Sequence, residues 1–126
     1  MRRGMAAAEA ARALVGVPFR LHGRDPATGL DCVGVAACAL GGAAPRDYAV
    51  RTGDADRAAT WIAAAGLARV PEGRPGDVVL MRTGPGQLHL GVLTASGMVH
   101  ADAALRRVVE RPGAPAWPVL GCFRGE

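Results

Sequence analysis

The sequence predicts an α+β domain in which helices come first and an antiparallel sheet second. Two observations predict this order. Ala-rich stretches of strong helix formers fill the first half of the chain, and short runs of Val and Leu separated by Gly, Pro or Ser fill the second. A chain of 126 residues is long enough to bury a core of its own. We therefore expect a single domain over residues 1–126.

The first half predicts three helices joined by Gly- and Pro-rich connections. Asp31 is a good N-cap for the second helix, which is apolar nearly all round and therefore buried. Residues 16–30 contain too much Gly and Pro for regular structure and predict an ordered loop. Residues 43–53 predict a connection without assigned structure. Trp61 and Ile62 are expected to be buried on the third helix. The predicted helices are residues 5–15, 32–40 and 54–65.

The second half predicts an antiparallel meander of about five strands, with the second helix packed against it. Apolar residues recur in short segments bounded by turn-forming residues, which is typical of strands. The predicted strands are residues 77–82, 88–94, 97–102, 105–111 and 118–124.

The charge of the chain indicates an anionic partner. The formal net charge is +4 and is carried by arginine, since the chain contains no lysine. The arginines are scattered and aromatic residues are scarce, which argues against nucleic acid, and an anionic polymer such as the bacterial cell wall suits a mildly basic surface equally well. Glu9 and Arg12 interrupt the N-terminal apolar run, which argues against a signal peptide, and no run is long enough for a membrane span. We expect synthesis in the cytoplasm, with delivery by some other means.

Cys32 is the first candidate for chemistry. It lies in the first turn of the apolar helix, where unpaired N–H groups and the helix dipole favour a thiolate. The alternative is that Cys32 is a small buried hydrophobe, which is the expected role of Cys38 and Cys122. The three cysteines match no zinc spacing, so the sequence predicts neither a metal nor a cofactor.

Residue parity on two predicted strands supplies a base for Cys32. If a two-residue turn at Ala95 and Ser96 joins the strands, then His89, His100 and Asp102 project from the same face. A slip of one residue would move His100 to the other face, and Asp102 is the alternative residue to orient His89. Gly34 and Gly91 are expected to let the cysteine helix dock closely on this face.

Five short motifs in order resemble the NlpC/P60 cysteine peptidases, which hydrolyse bacterial cell-wall peptides on a reduced papain-like fold. The resemblance covers about residues 14–123. The motifs are Val-Pro-Phe-Arg-Leu-His-Gly from residue 17, Asp-Cys-Val-Gly-Val from residue 31, Pro-Gly-Asp-Val-Val from residue 75, His-Leu-Gly-Val from residue 89 and Val-His-Ala from residue 99. The chain departs from the family pattern at Phe19, where tyrosine is usual, at Val33, where serine is usual, and at His22, where glycine is common.

The resemblance implies catalysis by Cys32 as nucleophile, His89 as base and His100 as the residue that orients the base. It implies a peptidoglycan stem peptide as substrate, cleaved at the γ-D-glutamyl–diamino acid bond through a thioester. The substrate-binding candidates lie in the loop before the cysteine, which we expect to form one wall of the groove. These candidates are Phe19, His22, Arg24 and Asp31.

Other functions fit the same residues. A CHAP-like amidase would cut the bond between sugar and peptide, a thiol acyltransferase would pass the thioester to an acceptor other than water, and a tail-tip subunit would keep the fold without activity. The sequence of the cysteine motif is similar to that of short enzymes encoded among phage or gene-transfer-agent tail genes. That resemblance implies tail proteins as partners, association with a virion or tail, and action on the cell wall in the periplasm.

Overall fold

The computed structural model describes residues 2–41 and 54–125 and has the predicted α+β architecture. Within these ranges it contains three helices, a two-stranded sheet and a six-stranded sheet. None of the helices found there is long and apolar enough to cross a membrane. The elements in chain order are α1 (Arg2–Arg12), β1 (Arg24–Asp25), β2 (Gly29–Leu30), α2 (Cys32–Leu40), α3 (Ala55–Ala64), β3 (Ala68–Val70), β4 (Val78–Gly84), β5 (Gln87–Leu93), β6 (Gly97–Asp102), β7 (Arg107–Pro112) and β8 (Val119–Arg124).

Helix α2 has the predicted bounds because both of its ends carry strong signals. The Asp31 carboxylate accepts a hydrogen bond from the Gly34 N–H at 2.9 Å, as an N-cap does, and Gly41 ends the helix with a φ of 68°. Helix α3 is capped by Asp54 and buries Ile62, whereas Trp61 is only partly buried. Helix α1 begins and ends three residues earlier than predicted. The predicted connection at residues 43–53 lies outside the described residues.

The strand order of the large sheet is β3-β8-β4-β5-β6-β7, and all pairs are antiparallel. Strands β4 to β7 form the predicted meander, but β8 returns to pair with β4, so the prediction of a five-strand meander is wrong at its last strand. Alternation of apolar residues tells which side chains face the core and does not tell which strand is the neighbour. The short edge strand β3 and the β1–β2 hairpin, inside the predicted loop, were not predicted because two or three residues carry no periodicity.

The sheet is apolar on both faces near its centre. One face packs against the helices and includes Leu90, Val92, Val99 and Phe123. The opposite face carries a smaller cluster of Val79, Met81 and Met98, with Leu93, Trp117 and Cys122 packed against it. By alternation along β5 and β6, His89 and His100 belong to this second face.

Candidate active site

A cleft of about 380 Å³ opens where the start of α2 meets β5, β6 and the loop before α2. It contains the predicted residues Cys32, His89 and His100, together with Asp102 and two of the four substrate-binding candidates, Phe19 and Asp31. The described residues that line it are Phe19, Leu21, Asp31, Cys32, Thr83, Gln87, Leu88, His89, His100, Ala101, Asp102, Ala103, Ala104 and Trp117. The topology thus brings loop, helix start and sheet together at one place.

Cys32 is the first residue of α2 and is 5% exposed. Burial raises the pKa of its thiol from the usual 9.0 to about 12, although backbone hydrogen bonding from Leu90 and Val33 lowers it in part. The expectation that the helix start would favour a thiolate is therefore wrong for the free protein. Desolvation disfavours the charged sulfur more than the helix start stabilises it.

His89 and His100 form a hydrogen-bonded pair. The His89 Nε2 lies 2.8 Å from the His100 Nδ1, and the two rings are perpendicular with centroids 5.0 Å apart. The predicted register is observed, since the Thr94 N–H donates to the Gly97 carbonyl at 2.8 Å across the Ala95–Ser96 turn. The predicted parity is therefore correct.

The two histidines are held largely uncharged. Burial lowers the pKa of His89 from 6.5 to about 4, and the charge of a protonated His100 lowers it further, while Asp102 raises it. Burial also lowers the pKa of His100, with Asp102 acting in the opposite direction and Arg111 in the same one. Asp102 therefore acts on the pair through its charge, and one of its carboxylate oxygens accepts a hydrogen bond from the Leu105 N–H at 3.0 Å.

The carboxylate of Asp31 is surrounded by protein donors. It accepts hydrogen bonds from the backbone N–H groups of His22 and Gly34, both at 2.9 Å, and from the Arg24 guanidinium at 2.7 Å. Arg24 is about 10% exposed and does not line the cleft, and neither does His22. The structure thus places Arg24 and Asp31 in a contact between the loop and α2, and places His22, with a φ of 60°, outside the cleft.

Phe19 is held on the cleft wall by backbone hydrogen bonds. Its N–H donates to the Arg106 carbonyl at 2.9 Å, and the Leu30 N–H donates to the carbonyl of the preceding Pro18 at 3.0 Å. With Leu21, it makes the loop side of the cleft apolar. Of the predicted groove wall, therefore, Phe19 and Leu21 line the cleft.

The two glycines that were expected to bring the cysteine helix onto the histidine face, Gly34 and Gly91, make room for other contacts. A Cβ on Gly91 would lie 2.4 Å from the Met98 sulfur, so this glycine makes room for the second cluster of the sheet, and the expectation that it faces the helix is wrong. A Cβ on Gly34 would lie 2.2 Å from the Gly23 carbonyl oxygen. Gly34 therefore allows close docking of α2, against the preceding loop instead of the sheet.

Trp117 is a site residue that the sequence did not identify. Its ring lies against both histidines and lines the cleft. Thr83 and Gln87 add polar side chains to the cleft and were also missed. Trp117 comes close to His89 through the return of β8 to pair with β4, for which the local sequence carries no signal. Thr83 and Gln87 lie on the β4–β5 hairpin that also carries His89.

The described residues offer no metal site and no disulfide. Across residues 2–41 and 54–125, no three His, Cys, Asp or Glu side chains are grouped to hold a metal ion. All three cysteines lie in these ranges and are free, with Cys38 and Cys122 partly buried away from the cleft. The chemistry available in the cleft is that of a thiol beside an imidazole pair.

A cysteine at the start of a buried helix and two histidines on an antiparallel sheet thus line one cleft, as the motif resemblance implied. Comparison with solved structures identifies the fold more closely. The chain matches NlpC1 from Trichomonas vaginalis with a TM-score of 0.69 and 21% identity over 96% of this chain and 44% of that chain. It matches the NlpC/P60 domain of the peptidoglycan hydrolase SagA with a TM-score of 0.59 and 23% identity over 86% and 88%. The chain has the NlpC/P60 fold.

A third match is the peptidoglycan hydrolase RipB from Mycobacterium tuberculosis, with a TM-score of 0.62 and 25% identity over 98% of this chain and 64% of that chain. The chain thus spans less than half of the Trichomonas protein and 64% of RipB. No family model and no curated protein sequence matches the chain. The likeness is one of fold at low sequence identity.

Proposed function

We propose that this domain is a cysteine hydrolase that cleaves an amide bond in a peptidoglycan stem peptide. The observation that carries the proposal is the presence, in one cleft, of the Cys32 thiol at a helix start and the hydrogen-bonded pair of His89 and His100. Nucleophile, base and orienting residue are the parts that thiol-dependent acyl transfer needs. Two of the solved structures with this fold are of peptidoglycan hydrolases by name.

The base acts through the ring nitrogen that His100 leaves available. The Nε2 of His89 is engaged by His100, so the Nδ1 of His89 is the atom left to accept a proton from the thiol. This requires that His89 carries its proton on Nε2 and donates it to the Nδ1 of His100. Because the pKa of Cys32 is high and that of His89 is low in the free protein, the resting pair is a neutral thiol and a neutral imidazole.

The reaction proceeds in two acyl transfers. As the Cys32 sulfur attacks the carbonyl carbon, its proton passes to His89, and the carbonyl oxygen becomes an oxyanion. Collapse of this intermediate breaks the C–N bond, His89 gives the proton to the leaving amine, and a thioester remains. Water then attacks the thioester with His89 as base, which releases the acid and restores the thiol.

The oxyanion needs a donor, and the backbone N–H of Cys32 is the candidate. The first N–H groups of a helix have no acceptor within the helix, and they point out of its start. One such donor contributes about 3 to 4 kcal/mol to transition-state stabilisation in comparable sites. The position of Cys32 at the start of α2 supports this role.

The γ-D-glutamyl–diamino acid bond is the finer proposal, and it rests on the motif resemblance. The cleft is of a size that suits a short peptide, with apolar walls at Phe19, Leu21 and Trp117 and polar side chains at Thr83 and Gln87. Association with a phage-like tail stays a prediction from the wording of the cysteine motif.

The test is digestion of peptidoglycan and of a synthetic stem peptide, with products identified by mass spectrometry. Wild type, Cys32→Ala, His89→Ala and the matched control Cys38→Ala are compared. Cys38 is the same residue type on the same helix, outside the cleft. We expect losses of about 10³-fold or more for the two cleft variants, because a missing nucleophile or base removes the whole covalent route, and wild-type rates for the control.

The products distinguish the rival functions. Cleavage after the γ-D-glutamyl residue supports the proposed bond, whereas release of the whole stem peptide from the sugar indicates an amidase. Products joined to an added amine indicate an acyltransferase. Full activity in Cys32→Ala would exclude the mechanism, and an inactive wild type would leave a structural subunit as the better explanation.

A further inference from the structure

Three rings meet at the histidine pair. Trp117 lies edge-to-face against His89, with centroids 5.8 Å apart and planes at 83°, and against His100, at 5.6 Å and 78°. His89 and His100 are themselves perpendicular at 5.0 Å. The indole therefore contacts both partners of the hydrogen bond that orients the base.

The backbone around Trp117 is restrained on both sides. Residues 113–118 connect β7 to β8, and Pro115 and Pro118 fix two backbone φ angles beside the indole. The Gly113 N–H donates to the Ser96 carbonyl at 2.9 Å, and the Pro118 carbonyl accepts from the Arg82 N–H at 3.0 Å. These contacts fix the position of the backbone that carries the Trp117 side chain.

The indole is also covered from outside. The Arg111 guanidinium carbon lies 5.4 Å from the centroid of the Trp117 ring, which is the geometry of a cation–π contact. Arg111 is exposed on β7 and lines no part of the cleft. Arg111 contacts the Trp117 ring, and its charge also lowers the pKa of His100.

We propose that Trp117 and Arg111 form a two-layer clamp on the histidine pair: Trp117 holds the rings of His89 and His100 in contact and excludes water from their hydrogen bond, and Arg111 holds Trp117. Both are positioning residues. The effect of the clamp on catalysis rests on the proposed function, whereas its effect on the histidine rings does not.

The surroundings of the pair indicate what the clamp controls. The groups that face it are Asp102 at the end of β6, Arg111 on β7, and Cys32 with Asp31 at the start of α2, where Arg24 neutralises Asp31. Burial is the largest cause of the low pKa of His89. Removing the indole would admit water, weaken the hydrogen bond and raise the pKa of His89.

The ordinary alternative is that Trp117 only fills the second core cluster. It packs against Val79, Met81 and Met98, so its removal would lower stability whatever else it does. A purely structural role predicts a lower melting temperature with unchanged histidine rings. The ring signals therefore distinguish the clamp from core packing.

The experiment is ¹⁵N NMR of the histidine rings across pH, without substrate, on Trp117→Ala, Trp117→Phe, Arg111→Lys and the control Arg57→Ala. Arg57 is exposed on α3, away from the cleft, and its removal shows what loss of an arginine outside the clamp does to the spectra. Arg111→Lys keeps the charge and loses the planar contact. His22, exposed in the loop, gives ring signals that none of these changes should move.

We expect Trp117→Ala to move the His89 midpoint from about 4 toward 6.5 and to disturb the signals of both rings. Trp117→Phe should restore most of the wild-type behaviour. Arg111→Lys should broaden or shift the same ring signals, while Arg57→Ala should match wild type. In the peptidase assay we expect kcat of Trp117→Ala to fall about 10- to 100-fold at pH 7, as for a misplaced base.

The clamp is wrong if Trp117→Ala loses only melting temperature while both rings keep their wild-type signals. Its outer layer is wrong if Arg111→Lys behaves like Arg57→Ala. Should Trp117→Ala fail to fold, Trp117→Phe and Arg111→Lys decide by the same signals. Because these spectra need no substrate, a chain without hydrolytic activity would refute the proposed function and still test the clamp.

Discussion

At the scale of residues, burial sets the chemistry of Cys32. Its position at a helix start stabilises a thiolate by the dipole and unpaired N–H groups, yet the residue is 5% exposed and the pKa of its thiol rises to about 12. The two effects oppose each other, and loss of hydration is the larger. The low pKa of His89 has the same cause. In the proposed mechanism, His89 therefore activates the thiol during attack instead of forming an ion pair with it beforehand.

The alkylation rate of Cys32 should follow from this thiol state. Between pH 7 and pH 9 we expect the rate with iodoacetamide to rise about 10-fold per pH unit without a plateau, because only the thiolate reacts. The measurement is mass spectrometry of digests after timed labelling, with the partly buried Cys38 and Cys122 as internal comparisons. A plateau that begins below pH 7 would show that the thiolate already exists in the free protein.

At the scale of elements, the site depends on the contact between α2 and the loop before it. Asp31 caps the helix and at the same time accepts hydrogen bonds from His22 and Arg24 in the loop. Gly34 lets the loop carbonyl of Gly23 approach the helix. One helix start thus fixes both Cys32 and the loop that carries the apolar wall of the cleft.

Substitution of Gly34 by alanine tests this contact. Alanine favours a helix by about 1 kcal/mol over glycine, but its Cβ would lie 2.2 Å from the Gly23 oxygen. We expect a net loss of about 1 to 3 kcal/mol in the free energy of unfolding, measured in urea, because the backbone must move. The same substitution at Gly125, where the nearest side-chain atom would be 3.4 Å away, is the control. A more stable Gly34→Ala protein would contradict close docking.

At the scale of the whole molecule, the return of β8 to β4 completes the site. Arg124 of β8 forms a two-pronged ion pair with the buried Asp77 that precedes β4, with both contacts at 2.8 Å. The connection into β8 carries Trp117 to the histidines. The core against the helices and the second cluster on the other sheet face are therefore both needed to hold the cleft.

The burial of His89 predicts a loss of stability in acid. In the unfolded chain its pKa is near 6.5 and in the folded protein about 4, so the unfolded state binds the proton first as the pH falls. The contribution of neutral His89 to the free energy of unfolding is complete above pH 6.5 and is lost as the pH falls to 4. It amounts to roughly 3 kcal/mol at most. Urea unfolding of wild type and His89→Gln at pH 7, 5.5 and 4 measures it.

The difference between the two proteins isolates His89, since carboxylates such as Glu110 titrate in both. We expect the gap between wild type and His89→Gln to shrink or reverse as the pH falls. A gap that stays constant from pH 7 to pH 4 would contradict a buried neutral imidazole.

The sequence by itself determined those features that local chemistry decides. The Asp31 cap and Gly41 set the bounds of α2, and the Ala95–Ser96 turn set the register that places His89 beside His100. Capping and strand alternation act over a few residues, so they can be read from the chain. The predicted NlpC/P60 resemblance is confirmed for the fold by the solved structures that the chain matches.

Only the tertiary structure decided what depends on residues distant in the chain. The return of β8, the contact of Trp117 with the histidine pair, the engagement of Arg24 by Asp31 and the packing of Gly91 against Met98 all arise from contacts between separate elements. The protonation state of Cys32 also depends on the tertiary structure, because desolvation depends on every group that surrounds the sulfur. The local sequence at the helix start does not specify those groups.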